Sequence, residues 1–252
     1  MRTPIKNLKK TTNCLTKVKD LIPKGSIVET HLFYDGSIEF NLCENERFVI
    51  ANTNKYVVYE FWSCALRDPK RIADIAEYMF PILNEQTFDI LQKEWAHYKD
   101  PYMRSALFFL LNRCSSIGMI SHGEFDIKNY NPFALSALRL FNPENFHLMG
   151  SHNKKLEKSV GFIDSSTHIF IHAGKFSFNF FEHGKTESLE ELKFSHDKLL
   201  QRLSTTDKKA VIVYDFHPRL KTYNKSFDIV YLDHSGKETD EVNAKEIILH
   251  NV

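Results

Sequence analysis

The sequence predicts an α/β fold, in which a mostly parallel sheet is covered by helices and an inserted helical domain interrupts the alternation. Two observations predict this fold class. Short runs rich in β-branched residues alternate with segments of helical period, and one long stretch is helical without an intervening strand. With 252 residues, 42% of them hydrophobic, the chain is long enough to bury a sizeable core.

Six runs are predicted to be strands, because β-branched and aromatic residues dominate them and turn residues bound them. They cover residues 26–30, 48–51, 168–172, 210–214, 227–231 and 246–249. Helical period is found at 11–21, 57–66, 71–79, 85–98, 101–114 and 188–203. Strands that alternate with helices favour parallel pairing with helical crossovers.

The stretch from 72 to 112 breaks this alternation, because its apolar residues follow a helical period and no strand occurs in it. We therefore expect residues 71–149 to form an inserted helical domain. Residues 1–70 and 150–252 then form the core that holds the sheet. The polar, glycine-containing stretch 118–132 is predicted to be a loop or a hairpin.

Charge and cysteine usage exclude several classes of protein. The formal net charge is +1, from 33 basic and 32 acidic residues, so no overall positive field attracts nucleic acid, and any such site must be local. The four cysteines form no CxxC pair, which fits neither a zinc knuckle nor a thioredoxin-type motif. The sequence has no signal-peptide pattern and no apolar run of membrane-spanning length. These features predict a cytoplasmic protein with no membrane partner.

Three landmarks follow one another along the chain. Residues 30–41 read THLFYDGSIEFN and match EPFxGxGSVFxN at Phe33, Gly36, Ser37, Phe40 and Asn41. Residues 50–69 contain IANTN, VVY and DP, which match xADxN…LIxxY…xxP. Residues 107–125 contain LFFLLNR and two later glycines, which match LNRxxFNG…GxFN. In this order and spacing, over most of the chain, the landmarks resemble the Dam-like DNA adenine-N6 methyltransferases.

The resemblance implies a Rossmann-like, S-adenosylmethionine-dependent methyltransferase fold with an inserted helical target-recognition domain. It also implies that cofactor contacts fall on Phe33, Asp35, Gly36 and Ser37, in the turn after the first strand. The acid expected at the end of the second strand corresponds to Asn52 or Thr53, depending on the alignment. Since relatives of this length are common in phages and other viruses, the resemblance suggests a viral protein, located in the host cytoplasm or the virion.

The catalytic Asp-Pro-Pro-Tyr of that family corresponds here to Ala173, Gly174, Lys175 and Phe176. Methylation of an exocyclic amine needs a proton acceptor and a surface on which the flipped base stacks. Ala173 offers no acceptor, Gly174 and Lys175 remove the rigid proline turn, and Phe176 alone keeps an aromatic face. The motif therefore predicts a catalytically inactive homologue.

The cofactor motifs are altered in the same direction. The family's first motif, Trp-Ala-Gly-Gly-Lys, corresponds to residues 10–14, which contain no glycine. Asp35 replaces a glycine and Asn52 or Thr53 replaces the ribose-binding acid, while the recognition arginine is missing from residues 117–121. We therefore regard the contacts at Phe33, Asp35, Gly36, Ser37 and Asn52 as vestigial and expect no bound cofactor.

The sequence is compatible with three functions. The first is a noncatalytic binding, scaffold or structural protein whose partner is itself, an active methyltransferase or a larger assembly. The second is a divergent but active methyltransferase that uses S-adenosylmethionine, with Asp215 of Tyr214-Asp215-Phe216-His217-Pro218 as the catalytic acid. The third is a nucleic-acid-binding module whose phosphate contacts come from a local basic cluster. That cluster comprises Lys6, Lys9, Lys10, Lys17 and Arg113.

No metal site is expected from sequence spacing. Two pairs of residues could be metal ligands, Asp215 with His217 and His147 with His152. Neither pair has a third and fourth ligand at the sequence spacing of a metal-binding motif. His168 and His172 lie on the same face of one predicted strand, and both are predicted to be hydrogen-bonded structural residues.

Overall fold

A computed structural model describes residues 3–6, 12–53, 55–118, 120, 123–149, 162–176 and 195–252. In these ranges seven strands form one sheet, in the order β3-β2-β1-β4-β5-β7-β6. The strands are β1 (Ile27–His31), β2 (Phe48–Ala51), β3 (Phe146–Leu148), β4 (His168–Gly174), β5 (Lys209–Asp215), β6 (Asp228–Leu232) and β7 (Glu246–His250). The first five are parallel, and β7 lies antiparallel between β5 and β6. The predicted α/β fold with a mostly parallel sheet is confirmed.

Each of the six predicted strands is present, with ends that shift by one or two residues. The strand that sequence reasoning missed is β3. It has three residues, none of them fully buried, so it leaves neither an apolar run nor a complete alternation in the sequence. It pairs with β2 through Val49 and Ile50 and forms the edge of the sheet.

Eight α-helices are found in the described ranges. They are α1 (Leu15–Leu21), α2 (Glu39–Glu44), α3 (Tyr56–Arg67), α4 (Pro69–Met79), α5 (Glu85–Glu94), α6 (Pro101–Arg113), α7 (Pro132–Arg139) and α8 (His196–Ser204). None of these helices is long and apolar enough to cross a membrane. The prediction missed α2 and α7. For α7 a start signal was present, since Asn131 accepts the Ala134 N–H and Pro132 occupies the first turn.

Helices cover both faces of the sheet. On one face, Val18 of α1 and Ile22, which follows α1, belong to a cluster with Phe170, Val211 and Ile248. On the opposite face, α8 contributes its leucines to a cluster with alternate residues of β4, β5 and β7. Neighbouring strand residues point to opposite faces, so each central strand is buried on both sides. This explains why β4 and β5 read as nearly continuous apolar runs.

A third core joins helices α3 to α7 with the loop after β1. It contains Phe33 and Phe40 from that loop and from α2, Trp62 from α3, and Phe108 and Phe109 from α6. Residues 71–149 thus supply most of α4, all of α5, α6 and α7, and also β3, which joins the sheet. The division into a core and an inserted domain stays a prediction. The helix start predicted at residue 188 lies outside the described residues.

Candidate functional site

The sheet has a topological switch point between β1 and β4. On one side, β1 is followed by β2 and β3, and on the other side β4 is followed by β5. In sheets of this kind, ligands bind in the crevice at the carboxyl ends of the strands beside such a switch point. Three of the described residues at this place are apolar and buried. Leu32 follows β1, while Ala173 and Phe176 lie at the end of β4, and the three belong to one hydrophobic cluster.

Residues 173–176, which the resemblance aligns with the family's catalytic tetrapeptide, lie at this edge. Ala173 and Gly174 are the last residues of β4, where the pairing with β5 shifts by one residue. Lys175 is exposed, and Phe176 is 7% exposed. No side chain among the four can accept a proton from a substrate amine at neutral pH.

The Phe176 ring is enclosed by the protein's own side chains. Its centroid lies 5.3 Å from that of His196, 5.7 Å from that of Tyr214 and 5.2 Å from that of His217. The Arg219 guanidinium lies 5.4 Å from the ring centroid. Since these groups surround the ring, little of its face remains for stacking on a base.

The loop after β1 is tied to the rest of the chain through its backbone. The Phe33 N–H donates to the Asn52 carbonyl at 3.1 Å, and the indole N–H of Trp62 donates to the Tyr34 carbonyl at 2.6 Å. The Thr3 hydroxyl donates to the carbonyl of Asp35. These bonds close the loop onto the end of β2, onto α3 and onto the N-terminal segment.

An aromatic cluster fills the space beneath this loop. Phe33, Phe40 and Trp62 contact each other with centroid distances from 5.1 to 6.0 Å. Phe146 lies 5.0 Å from Phe40, and Phe141 lies 5.1 Å from Trp62. Hence Phe33 and Phe40, which the family motif contains, are core residues here.

Gly36 is the position in this loop that requires glycine. Its φ is +70°, and a Cβ atom built there would lie 2.2 Å from the Phe40 ring. We expect Gly36→Ala to lower the free energy of unfolding by about 2–4 kcal/mol, because both backbone strain and overpacking oppose the methyl group. Urea denaturation would measure the change.

Gly25→Ala is the matched control for this substitution. Gly25 has a φ of +79°, but a Cβ atom there would meet nothing within 4 Å. The expected loss is about 1–2 kcal/mol, from backbone strain alone. Equal losses for the two variants would contradict close packing of Gly36 on Phe40.

The end of β2 carries no carboxylate. Asn52 and Thr53 are 8% and 4% exposed. The Asn52 N–H donates to the Thr30 carbonyl at 2.9 Å, and the Thr53 hydroxyl accepts the Lys55 N–H at 3.3 Å. Both candidates for the ribose-binding position are therefore buried neutral side chains.

A cavity of about 400 Å³ lies beside the loop after β1, between the N-terminal segment, α6 and α7. Its lining includes Lys6, Arg113 and the hydroxyl-bearing residues Thr3 and Ser37, together with the N-terminus of α7. Two cationic side chains and a helix N-terminus favour an anionic group. The Arg113 guanidinium donates to the Pro4 carbonyl at 2.6 Å and to the Thr3 carbonyl at 3.2 Å. Burial lowers the pKa of Arg113 to about 10.

The predicted basic cluster is divided in the structure. Lys6 and Arg113 meet at the cavity, and the Lys6 backbone N–H donates to Asn112 Oδ1 at 2.7 Å. Lys17, on α1, forms an ion pair with Glu238. Lys9 and Lys10 lie outside the described residues. Of the three described members of the cluster, only Lys6 and Arg113 therefore lie together, at the cavity.

Asp215, the aspartate considered as an alternative catalytic residue, lies at the same edge of the sheet as residues 173–176. It ends β5 and is half-buried, and its neighbour Tyr214 pairs with Gly174 of β4. On its other side, Asp215 pairs with Glu246 of β7. Burial and the Asp215 charge raise the pKa of Glu246 to about 7.

No protein-family model matches this chain, and no curated protein matches it. The function must therefore be argued from the residues at the carboxyl edge of the sheet and from the resemblance in sequence.

Sequence reasoning missed a contact between an acid and a histidine on β1. Glu29 Oε1 lies 2.8 Å from His31 Nε2, and the Glu29 carboxylate also accepts the Ile163 N–H at 2.7 Å and the Ser166 hydroxyl at 3.3 Å. Burial acts to raise the pKa of Glu29, but the contact with His31, followed by the hydrogen bonds from Ile163 and Ser166, outweighs burial and holds the pKa below its ordinary value. The Glu29 carboxylate thereby ties β1 to the segment that leads into β4. The available signal was an acid within an apolar strand.

His168, at the start of β4, has a pKa below its ordinary value, mainly because it is buried and also because of the Lys209 charge. The unfolded chain takes up a proton as the pH falls through about 6.5, whereas the folded chain does not. The contribution of His168 to stability is therefore complete above that pH and is lost below it.

We expect His168→Gln to reduce the loss of unfolding free energy between about pH 7.5 and about pH 5.5. Urea denaturation at the two pH values would measure the difference. His234→Gln changes an exposed histidine and serves as the control. If the two variants show the same pH dependence as the natural chain, the buried His168 ring is not responsible for it.

Proposed function

We propose that this chain is a catalytically inactive homologue of the Dam-like DNA adenine methyltransferases that acts as a noncatalytic binding, scaffold or structural protein. One observation carries the proposal. The end of β4 offers Ala173 where a proton acceptor is required, and the Phe176 ring packs against His196, Tyr214 and His217. The chain therefore lacks the proton acceptor, and its own side chains cover the aromatic face on which a flipped base would stack.

The arrangement of the sheet supports the methyltransferase part of the proposal. Strands β3-β2-β1-β4-β5 follow the doubly wound order, with the switch point between β1 and β4. The antiparallel β7 lies between β5 and β6, as in the Rossmann-like methyltransferase fold that the sequence resemblance implies. A dinucleotide-binding sheet of the doubly wound order ends with β6 beside β5.

The chemistry of methyl transfer supports the noncatalytic part. When the adenine N6 nitrogen displaces the sulfide of the donor, a new N–C bond forms and the sulfonium C–S bond breaks. The nitrogen then carries one proton too many, and a positioned acceptor must take it. Ala173 cannot do so, and the exposed Lys175 adds a positive charge near a cationic donor.

The cofactor contacts support the same conclusion. The loop after β1 packs on Phe40 and Trp62, and its Phe33 N–H donates a hydrogen bond to the Asn52 carbonyl. Neither Asn52 nor Thr53 supplies a carboxylate for the ribose hydroxyls. We therefore propose that S-adenosylmethionine is not a ligand of this chain.

Calorimetry with S-adenosylmethionine, together with transfer of labelled methyl groups to unmethylated DNA, tests the proposal. We expect no heat of binding and no transfer. Micromolar affinity, or incorporation above a heat-inactivated sample, would overturn the noncatalytic function.

A divergent methyltransferase is the second candidate, because Asp215 lies at the same edge beside the end of β4. If it were the proton acceptor, Asp215→Asn would abolish methyl transfer and leave cofactor binding intact. We expect no activity in either protein. Activity in the natural chain that is lost in this variant would establish the alternative.

A nucleic-acid-binding module is the third candidate, because Lys6 and Arg113 line a cavity that suits an anion. An electrophoretic shift that weakens steeply with salt would favour this function. Lys6→Gln should then reduce binding, whereas Lys24→Gln, at an exposed lysine paired with Glu46, should not. We expect no shift, and instead a protein–protein association that salt changes little.

A further inference from the structure

Three buried side chains of different types converge at the carboxyl edge of the sheet. They are Cys14, His172 and Glu246, and one ligand atom from each lies within 4.8 Å of the other two. Cys14 is 0% exposed, His172 is 5% exposed and Glu246 is 2% exposed. Among the described residues this is the one group of three metal-binding side chains at such distances.

The fold brings these residues together from distant parts of the chain. His172 lies near the carboxyl end of β4, and Glu246 begins the antiparallel β7, so both lie at the same edge. On β4 and β7 they alternate with Ile171 and Ile247, which face α8. They therefore share the opposite face with Cys14, which precedes α1 and covers that face.

We propose that Cys14, His172 and Glu246 bind a zinc ion. A thiolate, an imidazole and a carboxylate are all common ligands of zinc. Zinc–sulfur and zinc–nitrogen bonds of about 2.3 and 2.1 Å place the donors of one tetrahedral ion about 3.6 Å apart. The three candidate atoms lie within 4.8 Å of one another, so holding one ion requires them to approach by roughly 1 Å at most.

The charges around the cluster favour a cation. Glu246 lies beside Asp215, with which it pairs across β5 and β7. Two carboxyl side chains next to one thiol and one imidazole supply negative charge that a divalent cation offsets, and zinc displaces the thiol proton on binding.

Three protein ligands leave one position of a tetrahedral ion for water or a further ligand. The site uses no residue of the altered tetrapeptide, and its failure would leave the proposed noncatalytic function untouched. It would tie β4, β7 and the start of α1 together, and zinc binding would therefore add to the stability of the fold.

Metal titration of the full chain tests the proposal. The protein is freed of metal with a chelator and titrated with Zn²⁺ in competition with a chromophoric chelator, and in parallel with Co²⁺. We expect one equivalent to bind, the Co²⁺ form to show a thiolate-to-cobalt charge-transfer band, and Zn²⁺ to raise the melting temperature.

Cys14→Ser should remove the charge-transfer band and weaken zinc binding by more than the roughly 10–100-fold that loss of a supporting residue costs. Cys43→Ser is the matched control, because Cys43 is also buried and belongs to the same cluster beneath α1 and α2, but is not part of the three-residue group. Glu246→Gln provides a second variant if Cys14→Ser does not fold.

Failure of the natural chain to bind one equivalent would overturn the proposal. So would a cobalt spectrum without a thiolate band, or a Cys14→Ser variant that binds zinc as tightly as the Cys43→Ser variant does. In each case the three side chains form an ordinary buried polar cluster.

Discussion

Replacing Trp62 with alanine is expected to lower the free energy of unfolding by about 3–5 kcal/mol. The indole is fully buried and lies at the centre of the aromatic cluster. Its ring centroid is 5.6 Å from that of Phe33, 5.1 Å from those of Phe40 and Phe141, and 5.0 Å from that of Phe61. Truncation leaves a large cavity that these rings cannot fill without leaving their own contacts.

The indole N–H adds a second contribution, because it donates to the Tyr34 carbonyl in the loop after β1 at 2.6 Å. Trp62→Phe keeps an aromatic ring and removes this donor, so we expect a smaller loss of about 1–3 kcal/mol. Chemical denaturation of the two variants would compare the losses. A loss below about 1 kcal/mol for Trp62→Ala would mean that the loop is not held by this cluster.

Asn112→Ala is expected to lower the free energy of unfolding by about 2–4 kcal/mol. The side chain is fully buried at the end of α6. Its Oδ1 accepts the Lys6 N–H and its Nδ2 donates to the Lys6 carbonyl, both at 2.7 Å. Nδ2 also donates to the Gly118 carbonyl. Alanine leaves these backbone groups without the partners that held the N-terminal segment.

Limited proteolysis offers a second measurement for this variant, because release of residues 3–6 from α6 should speed cleavage near the N-terminus. Asn45→Ala is the control. The Asn45 side chain donates to the Asn41 carbonyl within one turn of helix, so its loss should cost about 1 kcal/mol and leave cleavage unchanged. Unchanged proteolysis in Asn112→Ala would mean that other contacts hold the segment.

Asn112 and Arg113 also illustrate how a motif match differs from a structural role. Both residues belong to the stretch that resembles the family's LNR sequence. Here Arg113 donates to the Pro4 and Thr3 carbonyls, and Asn112 holds Lys6. A residue match cannot distinguish a ligand contact from a backbone anchor, because both uses require the same donors.

Local pattern predicted the strands and most helices, because burial of one or both faces imposes a period that a short stretch of chain displays by itself. The elements that this pattern missed are β3, α2 and α7, with three, six and eight residues. For β3 and α2, pairing and packing come from neighbours distant in sequence, so their own residues carry little signal.

The sequence by itself determined the α/β class, the positions of six strands and the absence of an acid at Ala173. Only the tertiary structure decided that the Phe176 ring is enclosed, that Lys6 and Arg113 share a cavity, and that Cys14 lies beside His172 and Glu246. The physical reason is the separation along the chain between the residues that specify each feature. Periodicity and side-chain chemistry belong to neighbouring residues, whereas a site at the edge of a parallel sheet is assembled from strand ends far apart in the chain.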